Sequence, residues 1–94
     1  MKKLFKITVK PEFLEECLGT ITEHTIHVKS EPGCLVSEAY HSAADPRVVY
    51  LLSEFDTEEH ERAHVESEAD HAFIRKMQGK EDAPVEAIDW TQLA

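Results

Sequence analysis

Apolar and polar residues alternate from Leu4 to Val9. Phe5, Ile7 and Val9 fall on one side and Leu4, Lys6 and Thr8 on the other, the period of a β-strand. Lys10-Pro11-Glu12 then reads as a helix start, because proline suits the first helical position and Glu12, Glu15 and Glu16 sit at the positive end of the helix dipole. Leu14, Leu18, Ile21, Thr25 and Val28, flanked by Phe13 and Cys17, form one stripe and predict an amphipathic helix over residues 11–29. Pro32 pushes Glu31 out of helical geometry and Gly33 frees the backbone to turn. Cys34 to His41 follows as a strand, with Cys34, Val36 and Tyr40 on one face and Leu35 and Ala39 on the other. Ser42 to Pro46 form a loop, and Val48 to Phe55, the most apolar segment, runs back as the neighbouring strand.

Asp56 and Thr57 are candidates to cap a second helix, with Glu59 in capping-box position relative to Asp56. Arg75, Lys76 and Lys80 gather near a stop at Gly79, and the acidic stretch 66–70 is a weak point where this helix can break in two. Pro84 opens a last strand, Val85 to Trp90, with Val85 and Ala87 on one face and Ile88 and Trp90 on the other. The order βαββαβ predicts a ferredoxin-like α+β fold, a four-stranded antiparallel sheet with both helices on one face. All four strands carry apolar residues on both faces. Leaving one face wet would exceed the roughly 300 to 600 Å² apolar patch a monomer tolerates, so a second sheet, and hence a homodimer, is expected to cover it.

At 94 residues the chain is one domain, residues 1–94 with a core over about 4–90. A chain this short buries only about 60 to 65% of its unfolded surface, which makes association useful. Hydrophobic content of 41% beside 31% charged residues is that of a water-soluble domain, and no apolar run approaches the ~20 residues of a membrane span. Lys6, Lys10 and Glu12 interrupt any signal-peptide core, so none is read. Cys17 and Cys34 set no disulfide framework and are expected as buried thiols in a reducing cytoplasm. A net charge of −9 disfavours nucleic acid and anionic membranes, which need clustered basic surface.

The candidate chemistry lies in six histidines. His60, His64, Ser67, His71 and Ile74 return to one side of the second helix, and that line, facing the gap between helices and sheet, would set imidazoles beside an apolar wall. The bland alternative is a solvated face, favoured for His60 in the first turn and evenly weighted for His71. His24 reads as a satisfied edge histidine, and His27 and His41 as surface groups. His60 and His64 could share an ion, but His71 is about 10 Å further along the axis and no metalloprotease or facial-carboxylate pattern completes a shell, so no metal is expected. Glu54 and Glu38 could orient a pocket histidine, although pairing with Arg47 or a lysine is the commoner fate. Tyr40, Tyr50 and Trp90 read as core or interface aromatics ahead of ligand clamps.

Glu31-Pro32-Gly33-Cys34 opening a strand, then Asp45-Pro46, a β-branched and aromatic strand, Glu54-Phe55 and a helix carrying Ala63-His64 together resemble the antibiotic biosynthesis monooxygenase domain family over about residues 4–90. The resemblance implies a homodimer whose two sheets pack face to face as an α/β barrel. It also implies a pocket histidine at His64, and a second histidine for which His71 is the candidate, although Ser67 lacks the proline that usually precedes it. The activity it implies is that of a small monooxygenase without a cofactor, acting on a hydroxyaromatic or quinol. His64 would remove the phenolic proton, and Phe55, Ser67, Ile74 and Trp90 would line the substrate. Haem-degrading members use an asparagine and a helix tryptophan; this chain has no asparagine, and its only tryptophan is Trp90. Two alternatives stay open: proton transfer or isomerisation of a small hydroxyketone, and a non-catalytic dimeric ligand-binding or stress-response module.

Overall fold

The computed structural model describes residues 2–94. The first alternating stretch is strand β1 (Lys2–Thr8), followed by a 3-10 turn (Pro11–Phe13) and helix α1 (Leu14–Lys29). Strands β2 (Cys34–His41) and β3 (Val48–Phe55) have the expected bounds; after them come α2 (Glu58–Val65), α3 (Glu68–Met77) and β4 (Glu86–Ile88). All pairings are antiparallel and the sheet order is β2-β3-β1-β4, the ferredoxin-like α+β arrangement.

The helix expected from residue 11 begins its α-helical turns at Leu14. Pro11 has no N–H to give, and the Phe13 N–H donates to the Lys10 carbonyl at 3.0 Å, which tightens the first turn. Ile7, Val9 and Val49 from the sheet then meet Cys17 and Ile21 of α1 and Met77 of α3 in the buried core. Ser37 is a buried polar residue of the sheet, and its hydroxyl donates to the Thr25 carbonyl at 2.8 Å, tying β2 to α1.

Strict alternation fails at the start of β2. Cys34 pairs with Phe55 and Val36 with Glu54, so Leu35 is an extra, bulged residue. The bulge puts Cys34 on the helix-facing side with Phe55, opposite to its expected partners Val36 and Tyr40, and leaves Leu35 62% exposed. The second long helix is two helices. Ser67 ends the first and caps the next, its hydroxyl accepting from the Asp70 N–H at 3.1 Å, as the weak acidic middle allows. The last strand is also shorter than expected, since pairing with β1 stops at Ile88 and Trp90 lies beyond it, half-exposed.

The sheet face away from the helices carries Leu4 between Leu52 and Ile88 in one row, with Tyr50 and Tyr40 paired in the next register toward the β2 edge. Gly33, at φ 78°, shapes the turn into β2, and its carbonyl accepts from the Asp56 N–H at 2.9 Å. A Cβ there would overlap the His60 ring and the Asp56 carboxylate. The turn therefore brings residues 31–33 against the start of α2.

Candidate functional site at the meeting of three helices

His64 lies near the C-terminal end of α2, and its ring stacks on Phe55 at the end of β3 with centroids 5.0 Å apart. Its Nδ1 is 2.6 Å from Glu31 Oε1. An ionised carboxylate only accepts, so the ring N–H facing it is on Nδ1, and whenever the ring is neutral the lone pair is on Nε2. Nε2 lies 3.7 Å from Asp70 Oδ1, in the first turn of α3. The same oxygen is 3.6 Å from Nε2 of His24 on α1, whose ring stacks on Phe73 at 4.1 Å and 4°. The side chains of Glu31, His64, Asp70 and His24 are only 13, 15, 17 and 12% exposed, so this polar cluster is largely withdrawn from water.

The turn explains the position of Glu31. α1 ends with Ser30 bonded back to His27 and Val28, and Pro32-Gly33 reverses the chain, which points the Glu31 carboxylate across to α2. His27, 54% exposed, adds a flanking contact 3.7 Å from Glu31 Oε2. Cys34 sits beside this carboxylate, and burial first, then the Glu31 charge, pushes its thiol above the usual range. A groove of about 210 Å³ between α1 and α3 opens next to the cluster, lined in part by His24, His27, Phe73 and Lys76.

Of the residues expected at the site, His64 and Phe55 come together. Ser67 is close through the backbone, its hydroxyl donating to the His64 carbonyl at 2.7 Å while it caps α3. His71 and Ile74 are exposed on α3, because the helix break shifts the phase of the line they were expected to share with His64. His60 bonds Asp56 at 2.6 Å near the surface, and this bond holds the Asp56 carboxyl below its usual range. Trp90 borders a depression with Lys2 and Glu54 at one end of the open sheet face. The orienting carboxylate is thus Glu31, with neither Glu54 nor Glu38 bonded to His64; Arg47 pairs with Asp45 and Asp82. Glu31, His24 and Asp70 had no signal in the sequence beyond the turn, the helix edge and the acidic stretch they belong to.

A four-stranded antiparallel sheet backed by helices, with a shielded histidine beside the end of β3, places the chain among small ferredoxin-like α+β proteins. The family model for antibiotic biosynthesis monooxygenases matches residues 2–76, and the chain belongs to that family. A solved structure of a family protein from Nitrosomonas europaea has a TM-score of 0.89 at 18% identity, covering 99% of this chain and 98% of the other. One from Bacteroides thetaiotaomicron, given the same family name, has a TM-score of 0.87 at 26% identity over 100% of this chain and 90% of that one. A conserved protein from Methanosarcina mazei has a TM-score of 0.85 at 21% identity, covering 93% and 86%. No curated protein matches. No helix among the described residues is long and apolar enough to cross a membrane.

Proposed function

We propose that this protein is a small monooxygenase that works without a cofactor on a hydroxyaromatic or quinol-type molecule, with His64 as its base. The bond from Nδ1 to Glu31 carries this reading, because it fixes the tautomer and turns Nε2 into a proton acceptor in a site shielded from water. The phenolic O–H gives its proton to Nε2, and the phenolate gives one electron to dioxygen. The two radicals join in a C–O bond and His64 returns the proton, which makes a ring hydroperoxide. Loss of the remaining hydrogen on that carbon breaks the O–O bond, so one oxygen stays as a quinone carbonyl and the other leaves as water. Phe55 and Phe73 supply apolar walls, and the groove beside His24 gives a small ring a way in.

Oxygen uptake with a panel of hydroquinones and anthrone-like phenols tests this. His64→Ala should lower kcat about 10²- to 10⁴-fold, the usual worth of a positioned base. Glu31→Gln should lower it about tenfold or more while leaving KM nearly unchanged, since Glu31 orients the base without touching substrate. Full turnover by H64A would sink the proposal. The same Glu–His pair also suits a proton shuttle on a small hydroxyketone, and turnover that persists without oxygen would select that reading.

The assembly belongs to the proposal too. The row Leu4, Leu52 and Ile88 lies on the open sheet face, and a homodimer formed through that face would bury it. Two free thiols suit a cytoplasmic setting.

A further inference from the structure

We propose that His24, His64 and Asp70 form a binding site for a divalent transition-metal ion of the zinc class. Their donor atoms lie within 4.8 Å of one another, contributed by α1, α2 and α3. The distances of 3.6 and 3.7 Å from Asp70 Oδ1 to the two Nε2 atoms are too long for good hydrogen bonds. They are close to the roughly 3.3 to 3.5 Å that separates ligands bound tetrahedrally at about 2.0 to 2.2 Å from zinc. The Nε2 lone pair of His64 and the Asp70 oxygen are both acceptors in this tautomer, so a cation between them satisfies both. Glu31 stands behind His64 on Nδ1 at 2.6 Å, the carboxylate–histidine–metal arrangement that orients a ligating ring. Phe73 fixes the plane of His24 by stacking. Two imidazoles and one carboxylate favour zinc, cobalt(II), nickel(II) or iron(II) over magnesium or calcium, and three protein donors leave a position open to water. The ion would sit at the inner end of the groove that His24 helps to line.

This site goes beyond the proposed oxygenase chemistry and competes with it, since both use Nε2 of His64; a bound ion would silence the base. Its test therefore reads binding alone. Protein stripped with a chelator is titrated with zinc chloride by calorimetry and with cobalt(II) by visible absorption. The expected result is one ion per chain bound more tightly than about 10 μM, with the intense d–d bands of low-coordinate cobalt. Replacing His24 or His64 by alanine, or Asp70 by asparagine, should weaken binding at least ~100-fold, and Glu31→Gln about 10- to 100-fold. His71→Ala, away from the cluster, should leave it unchanged. Circular dichroism identifies any variant that fails to fold, and for such a position His24→Gln or Asp70→Ser takes its place. Binding weaker than about 100 μM, or binding that survives in both the His24 and Asp70 variants, overturns the site. Neither result bears on oxygen uptake by the metal-free protein.

Discussion

Gly33 allows a worked stability test of the turn that delivers Glu31. Its φ is 78°, a region that costs a residue with a Cβ about 1 to 2 kcal/mol. An alanine methyl would also overlap the His60 ring and the Asp56 carboxylate. Relief requires breaking the His60–Asp56 pair, whose side chains are 41 and 42% exposed and which is therefore worth about 0 to 1 kcal/mol. It also strains the bond from the Asp56 N–H to the Gly33 carbonyl, a further ~1 kcal/mol. Gly33→Ala should thus cost about 2 to 4 kcal/mol, which for a domain of this size lowers Tm by about 10 to 25 °C. Two controls separate the causes. Gly79 shares the torsion, φ 77°, but a methyl added there would have nothing within 4 Å, so G79A should lose about 5 to 10 °C. Gly19 lies inside α1 in open space, so G19A should gain ~0.5 to 1 kcal/mol from helix propensity. Thermal melts followed by circular dichroism should rank G19A above wild type, then G79A, then G33A. A G33A protein that melts no lower than G79A would refute the claim that the turn is packed against α2.

Acid should reveal the Arg47 clamp. The Arg47 guanidinium holds the Asp45 carboxyl below its usual value, so Asp45 stabilises the fold above its unfolded value near 4, and that contribution is lost as pH falls through the lower folded value. Wild type should therefore be more stable than R47A at pH 6, with the gap closing toward pH 2 to 3; an equal gap at both pH values, each measured by urea titration, would contradict the assignment. The thiols should be slow. Cys17 is buried, and burial pushes both Cys17 and Cys34 up, so a disulfide-exchange reagent at pH 7.5 should label them far faster in urea than in buffer. On the open sheet face, Leu52→Glu places a charge in the row between Leu4 and Glu38 and should give a monomer by sedimentation; an unchanged mass would place any interface elsewhere.

The strands were legible because their signals are local. Val48 to Phe55 is the most apolar segment of the chain and is bounded by Pro46 and Asp56, and the structure gives β3 those same bounds. Pro32 and Gly33 marked the turn for reasons that φ at Gly33 bears out. The bulge at Leu35 was not legible, because one extra residue in a ladder is defined by the partner strand and leaves no mark in its own alternation. The short β4 has the same origin, since it ends where β1 stops pairing with it.

The site was less legible because it is assembled from residues that only the packing brings together. His64 could be singled out by its place after Phe55 and Ala63, whereas Glu31, its hydrogen-bond partner, lies 33 residues earlier in the chain. The line through His60, His64, His71 and Ile74 assumed one unbroken helix. The Ser67 cap resets the phase, so Asp70, Phe73 and Met77 turn inward on α3 and His71 and Ile74 turn out. That rotation puts a carboxylate, in place of a second imidazole, opposite Nε2 of His64. The weak acidic stretch is thus the feature that brings Asp70 to His64: the break sets that carboxylate 3.7 Å from Nε2 of His64 and 3.6 Å from Nε2 of His24, while Glu31 holds the other ring nitrogen of His64.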